Sequence, residues 1–483
     1  MRDRRGAGAC RRDCPTPSRR VVAVQRDWVS LWSFHDGLHP YTTVSYPGTK
    51  HYPLASHICA ESGQYLEPCP VSETADVVIA GAGIIGLCAA LQIARRSTAR
   101  VLVLEKGRGL GEGSTGASSA VCRAKYSRDE TVILARDGIA AYRHWKEFLS
   151  LSDPLATLHE LGVVWLSDGR AGWPQTEAER MRRLGVAAEA VDDSALAERY
   201  PALNPCAIAP DLETGETHSC GRGGHHLIET LGGYVDPVDA LADLLRAVRQ
   251  LGVEVRFNSK VTGVEKRNGA IHGIVLESGA RIGCGALVTT NGPWCNDLFV
   301  AAGLHSKWPL VPTRIQVVHL DRPSSVKGEV PVCADPVGGI YFRPQNRGQQ
   351  LLVGSVMEED EQEEVADPDH FDRGIDDDFL REKVHLLQHR VRGLDVIRGL
   401  RGYSGLYTTN PIDVHPVVGK TPIPGLYVAN GFSGHGFKMA PAISSLIAQA
   451  VTGQRISGDT MVSPGYLAFD RTPIAVASRN VLA

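Results

Sequence analysis

The chain has 483 residues, room for two to four domains at roughly 100–200 residues each. Hydrophobic residues make up 43% of it, enough for a sizeable core, and a net charge of -3 leaves no basic field for nucleic acid and no excess charge for a lipid surface. No run reaches the roughly 18 consecutive apolar residues of a membrane span, and the 11 cysteines show neither CxxC nor a local Cys/His zinc spacing, so reduced thiols and no metal are expected.

Residues 1–74 are read as an extension outside the fold, disordered or a misassigned start. They carry Arg2, Arg4, Arg5, Arg11, Arg12, Arg19 and Arg20 but no apolar h-region, so they are not a secretory signal. Asp3, Asp13 and the prolines weigh against a mitochondrial presequence. The expected location is cytoplasmic, or mitochondrial if this stretch is a presequence. Cys10 with Cys14, and His57 with Cys59, find no obvious partners.

Residues 76–80 (DVVIA) form an unbroken apolar, β-branched run that suits a central parallel strand. A glycine turn at 81–86 leads into a helix at 87–96 and a second buried strand at 100–105 (RVLVLE). Further on, 129–151 has a helical pattern, 161–167 reads as a strand, and 176–184 and 194–200 read as helices. Asp236 caps a helix over 236–251 with Pro237 in its first turn. Strands are expected at 253–257, 261–266, 273–276, 286–290, 313–320 and 350–355. The acidic stretch 358–378 reads as a solvated loop. A last strand at 425–430 (GLYVAN) runs into the turn 431–436, with a helix from Pro441 onward. This order implies a cofactor domain built from separated segments, with a mainly antiparallel domain inserted between them.

Gly81-x-Gly83-x-x-Gly86 follows a strand and opens a helix. Gly81 permits the tight turn, Gly83 lets the backbone approach a pyrophosphate, and Gly86 allows close helix–strand packing. The helix N-terminus offers amides to phosphate. Glu105 ends the second strand at the offset of about 20 residues where a carboxylate binds ribose hydroxyls, which disfavours NADP. The unit alone does not decide between FAD and NAD. The Gly/Ser loop 106–119 (KGRGLGEGSTGASS), dense in amides and hydroxyls, suits an extended cofactor continuing to an isoalloxazine ring.

Four stretches resemble the D-amino-acid-oxidase-like FAD oxidoreductases, in the branch of sarcosine oxidase and dimethylglycine dehydrogenase. They are 76–105, 113–126 (GSTGASSAVCRAKY), 233–236 with 286–296, and 405–441, which contains GLYTTNPIDVHPVVG and GLYVANGFSGHGFKMAP. The similarity spans about residues 75–453. It implies an α/β fold: a Rossmann-type FAD-binding domain from residues 75–130, 230–312 and 400–455, and an antiparallel-sheet α+β substrate domain from 131–229 and 313–399. Residues 456–483 are expected to be a C-terminal tail.

The resemblance also implies roles. Lys106, Gly113, Ser114, Thr115, Ser118 and Ser119 look like the loop that wraps the pyrophosphate and reaches the flavin. Val261 resembles the residue whose backbone meets the adenine, and Asn291, Gly292 and Trp294 resemble the turn beside the cofactor. Gly431, Gly434, Gly436, Phe437 and Lys438 resemble the loop against the pyrimidine end of the flavin. There, amides, a helix N-terminus and a lysine would stabilise negative charge on reduced flavin. Arg123 and Lys438 look like the pair that clasps a substrate carboxylate, a task suited to the planar guanidinium fork. Tyr341, Arg343, Tyr407 and His435 are further candidates near the flavin.

The chain departs from the family where flavin is attached covalently. No His follows the GST turn, where Ala117 and Ser118 stand, and Gly405 replaces a Cys of sarcosine oxidase monomers. Noncovalent FAD is therefore expected. The implied activity is oxidation of an amino acid or N-methyl amino acid at its C–N bond, of the sarcosine, glycine or D-amino-acid type. Hydride would pass to flavin N5, and the acceptor would be oxygen, a quinone or an electron-transfer flavoprotein. The alternatives are oxidation of a 2-hydroxy acid or polyamine, and a non-catalytic flavoprotein assembly factor.

Overall fold

The structure, a computed structural model, describes residues 73–214, 218–221, 224–476, 479 and 482, which fall within one unit. The arginine-rich start and the Cys10, Cys14, His57 and Cys59 pairs lie outside the described residues.

Strand Glu73–Ala80 has parallel partners on both edges, Val101–Leu104 and Arg281–Thr289. Its end from Val77 to Ala80 is at most 4% exposed. A strand covered on both faces leaves no place for alternating polar residues, hence the unbroken apolar run. Glu254–Arg256 continues the sheet past Val101–Leu104, while Leu426–Asn430 and Val417–Lys420 continue it past Arg281–Thr289. A hairpin, Val261–Arg267 with Ala270–Leu276, pairs antiparallel with Arg281–Thr289. The sheet thus gathers separated pieces of chain, as the strand types implied.

A second eight-stranded sheet runs in the order Arg401–Thr409, Val311–Asp321, Gln350–Ser355, Ile340–Gln345, Val332–Asp335, Val163–Trp165, His225–Glu229, Ala188–Asp192. All its pairs are antiparallel except Val332–Asp335 with Val163–Trp165. Side chains alternate across it with the period of two of a β-strand. Ile315, Val317, Tyr341, Gly405 and Tyr407 line a cavity on one face. Val318, Leu320, Phe342 and Val353 pack on the other with Leu387 of helix Asp377–Arg390.

Three expectations need correction. Strand Arg401–Thr409, expected with the cofactor segments, pairs with Val311–Asp321 from Thr409↔Val311 to Arg401↔His319 and belongs to the second sheet. The helix expected over 129–151 is two helices, Asp129–Arg143 and Trp145–Leu149, broken at His144 with φ -113 and ψ 42. The last helix begins at Gly436, with Pro441 inside it. Proline lacks the N–H that would bond the carbonyl four residues back. That carbonyl, Phe437 O, accepts instead from the Tyr142 hydroxyl at 2.9 Å, and the two rings stack at 5.2 Å. A substitute donor thus lets the helix start at the glycine turn. Helix Pro237–Gln250 has the expected cap, with Asp236 Oδ1 accepting from Val238 N at 2.9 Å and Asp239 N at 3.1 Å.

Candidate active site

The glycine turn is built as the motif requires. Gly81 has φ +108, and a Cβ there would stand 2.8 Å from Thr290 O. A Cβ on Gly86 would stand 2.0 Å from Gly81 O, so the helix can lie this close only without a side chain. Gly86 itself does not line the cavity. Glu105 accepts from Ala82 N and Gly107 N, each at 2.8 Å, and this fixes its carboxylate beside the turn. Thr115 Oγ1 accepts from Ile84 N at 3.2 Å, tying the Gly/Ser loop to the helix N-terminus.

From this turn a continuous trough runs between the two sheets. Its first part is lined by Gly81, Gly83, Glu105, Lys106, Gly113, Ser114, Thr115, Val261, Asn291, Gly292 and Trp294. The second shares Gly83, Ser114, Thr115, Thr290 and Gly292 with the first and adds Ser118, Ser119, Tyr341, Tyr407, Gly434, Gly436 and Phe437. Through these shared residues the two parts form one elongated cavity, the shape an extended ligand requires. Ser114 Oγ and Asn291 Oδ1 are buried along this trough with no protein hydrogen-bond partner. Such groups need a partner when buried, and the polar edge of a bound dinucleotide supplies one. The residues present therefore fit FAD.

At its far end the trough opens into a smaller chamber bounded by Ser118, Ser119, Tyr341, Tyr407, Phe437, Arg123 and Lys438, with Val163, Val332 and Ala334 as apolar wall. Both cations are buried, Arg123 at 4% and Lys438 at 5% exposure. The Arg123 guanidinium lies over the Tyr126 ring at 4.1 Å and bonds Lys125 O. Lys438 Nζ donates to Gly434 O at 3.4 Å. Loss of water, then the charge of Arg123, brings the Lys438 ammonium down to about 7. Burial pushes the Tyr341 hydroxyl up. Arg343 is structural: its Nε donates to Ser119 O at 2.6 Å and its guanidinium covers Tyr234.

Two expected site residues stand elsewhere. His435 is fully buried but does not line the trough; its ring packs edge-on to Tyr126 at 5.1 Å. Gly431 also lies off the trough, and its φ of +78 shapes the turn while a Cβ would stand 2.7 Å from Leu310 Cδ2. The loop reaches the cavity through Phe432, Ser433 and Gly434.

Several residues around the trough and chamber carried no local sequence signal. Glu229, 1% exposed, accepts from Ala124 N at 2.5 Å, Lys125 N at 3.2 Å and Trp165 Nε1 at 2.8 Å, behind the two cations. Burial raises its carboxyl while Arg123 lowers it. Lys125 lies over Trp165 at 4.2 Å and is brought down to about 8 by burial. Ser433, at φ 46, is held by Ser433 N→Thr408 O and Asn410 N→Ser433 Oγ, both 3.0 Å. The acidic stretch is not all solvated: Asp369 pairs with Lys106 and accepts from Trp294 Nε1 at 3.1 Å, beside the first part of the trough. In the expected C-terminal tail, Arg471 pairs with buried Asp413 at 2.9 Å, and Leu482 reaches the chamber. Away from the trough, Cys206, His218, Cys220 and His389 converge with ligand atoms within 4.8 Å. The expectation of no metal rested on local spacing, and His389 arrives from 169 residues beyond Cys220. Among the described residues no helix is long and apolar enough to cross a membrane.

The family model described as FAD dependent oxidoreductase (DAO) matches residues 76–450. The chain is 28% identical over 415 residues to the FAD-dependent oxidoreductase domain-containing protein 1 of Bos taurus, covering 78% of this chain and 81% of that one. It is 26% identical to the monomeric sarcosine oxidase of Streptomyces avermitilis, covering 82% and 99%. In fold it is similar to the L-proline dehydrogenase of P. horikoshii, with TM-score 0.69, 22% identity and coverage of 82% and 97%.

Proposed function

Because the chain belongs to the DAO family of FAD-dependent oxidoreductases, we propose that it oxidises the C–N bond of a small amino acid or N-methyl amino acid. The carrying observation is Arg123 with Lys438, two buried cations in a chamber whose other walls, Ser118 and Ser119 apart, are apolar or aromatic. Two cations side by side in so dry a place suit an anionic substrate group. The Arg123 fork binds both oxygens of a substrate carboxylate and Lys438 adds a point charge. The rest of the substrate then extends toward Tyr341, Tyr407 and Phe437, where chamber and trough meet. Val163, Val332 and Ala334 exclude water around it. Relatives named for sarcosine and a neighbour named for L-proline act on molecules that join a secondary amine to a carboxylate, which supports the same class here. Bound FAD supplies the two-electron acceptor, and water hydrolyses the resulting imine.

FAD is held without a covalent bond in this reading. A Cβ at Gly405 would stand 2.6 Å from Ala117 Cβ, so that position has no room for an attaching side chain. Cys122 does not line the trough, and burial pushes its thiol up to about 12. Acid precipitation should leave the yellow colour in the supernatant; a yellow pellet refutes noncovalent binding.

Stopped-flow reduction by sarcosine, proline, glycine, D-amino acids and 2-hydroxy acids tests the substrate class. Reduction by the hydroxy acids alone would replace the amine reading. Arg123→Ala should raise KM for carboxylate-bearing amines about 10–150-fold, the equivalent of about 1.5–3 kcal/mol for bonds to a charged group. An equal change for amines without a carboxylate defeats the assignment.

A further inference from the structure

We propose that Cys206, His218, Cys220 and His389 form a structural zinc site. Their ligand atoms all lie within 4.8 Å of one another, with Cys206 Sγ 3.2 Å from His218 Nε2 and Cys220 Sγ 3.7 Å from His389 Nε2. Two sulfurs at about 2.3 Å and two nitrogens at about 2.0–2.1 Å from a tetrahedral zinc stand about 3.3–3.8 Å apart. The two measured edges are close to that figure. The remaining pairs, within 4.8 Å, must draw in by about 1 Å, a movement open to the exposed Cys220 side chain and the half-buried His218 ring. Thiolate and imidazole are the donors zinc selects, and two thiolates neutralise its charge.

The surroundings are those of a metal knuckle. Cys206 Sγ accepts from Ile208 N at 3.4 Å, and Cys220 Sγ accepts from Asn204 Nδ2 at 3.4 Å, which fixes where the two sulfurs point. The same Asn204 amide donates to His389 O at 2.9 Å, so it spans both sides of the cluster. The next residue, Arg390, pairs with buried Asp335 at 2.9 Å and donates to the Asn204 and Cys206 carbonyls. Backbone on both sides is therefore held before any ion arrives.

The position explains what the ion does. Residues 201–224 connect helix Asp193–Arg199 to strand His225–Glu229. The described ones among them join no helix or strand beyond one isolated bridge, Leu203 to Val391. Loops of this length are uncommon in a packed fold unless something else secures them. The cluster pins three points of this loop to the last turn of helix Asp377–Arg390, which packs on the face of the second sheet opposite the trough. Four protein ligands leave no open position for substrate, so the ion is structural. None of the four residues lines the trough or the chamber, so the proposal stands apart from the redox reading.

The full chain, purified with its flavin, decides the matter by metal analysis. About one zinc per chain should survive dialysis and be released by a thiol-modifying mercurial. Cobalt(II) in its place should give thiolate charge-transfer and tetrahedral ligand-field bands, the latter to the red of the flavin absorption. Cys220→Ser, a change at an exposed position, should lower metal content to about a tenth or less with the flavin spectrum unaltered. His385→Asn, one turn away on the same helix, should leave metal content unchanged. If Cys220→Ser does not fold, zinc content and the cobalt spectrum of the parent chain decide alone. Three results overturn the proposal: no zinc retained after reloading with zinc chloride, equal alkylation of Cys206 and Cys220 with and without zinc, or a Cys206–Cys220 disulfide in the non-reduced peptide map.

Discussion

Lys438 shows how one buried charge ties stability to recognition. Its ammonium is brought down to about 7, chiefly by loss of water and then by Arg123, with Cys122 and Glu229 acting the other way. In an unfolded chain the same group titrates near about 10.4. Between these values the folded protein binds fewer protons than the unfolded chain, so stability rises with pH across the window. Below about 7 both states carry the proton and the cost of burying charge is present in full. Lys438→Met should therefore stabilise the substrate-free protein most at about pH 6 and flatten its rise toward about pH 9, read from urea midpoints. A substrate carboxylate needs the ammonium form. The ratio of parent to Lys438→Met kcat/KM should accordingly fall as pH rises through about 7. A flat ratio would mean that Lys438 does not hold the carboxylate.

The last helix shows what the element scale adds. Pro441 removes one backbone donor, and Tyr142 from another helix supplies the replacement to Phe437 O at 2.9 Å. Tyr142→Phe should leave that buried carbonyl unpaired and cost about 1–3 kcal/mol. Adding Pro441→Ala restores an N–H at the right place in the helix, so the double variant should recover part of the loss in chemical denaturation. No recovery would mean that the hydroxyl matters for some other reason. From sequence the proline reads as a helix start, because Pro favours the first turn and the hydroxyl that bonds Phe437 O lies 295 residues before Phe437. Strand Arg401–Thr409 was misplaced for a similar reason. Its membership is settled by which strand it meets, and the GLYTT pattern fits the edge of either sheet. The strand–turn–helix at Glu73–Ala94 was legible because sterics confined to one short segment dictate it.

At the scale of the molecule, the trough is a seam between two sheets, walled by segments scattered from Gly81 to Phe437. Its glycine-rich walls were readable, since close backbone approach leaves a mark in composition. The charged groups around it were not: Asp369 meets Lys106 in its wall, and Glu229 meets the Lys125 backbone behind the chamber, only after folding, and nothing near them in sequence announces it. The acidic stretch is fastened to the second sheet by Arg314, 3% exposed, which donates to Glu363 at 2.8 Å and Asp376 at 3.0 Å. Asp369 then closes it over the first part of the trough. A ligand lying along this seam touches both sheets and the loop, so its binding energy adds to the cohesion of all three. Noncovalent FAD predicts that free FAD raises unfolding free energy by about 1.4 kcal/mol per tenfold concentration above Kd. Flavin removal should expose residues 358–378 to proteolysis, and added FAD should restore protection. Arg314→Met should open the same loop with FAD still bound, at a loss of about 1.5–3 kcal/mol. If melting is indifferent to FAD concentration, the cofactor is either attached covalently or not bound by the folded chain; the Arg314→Met cleavage pattern, which depends on the loop alone, would persist in both cases.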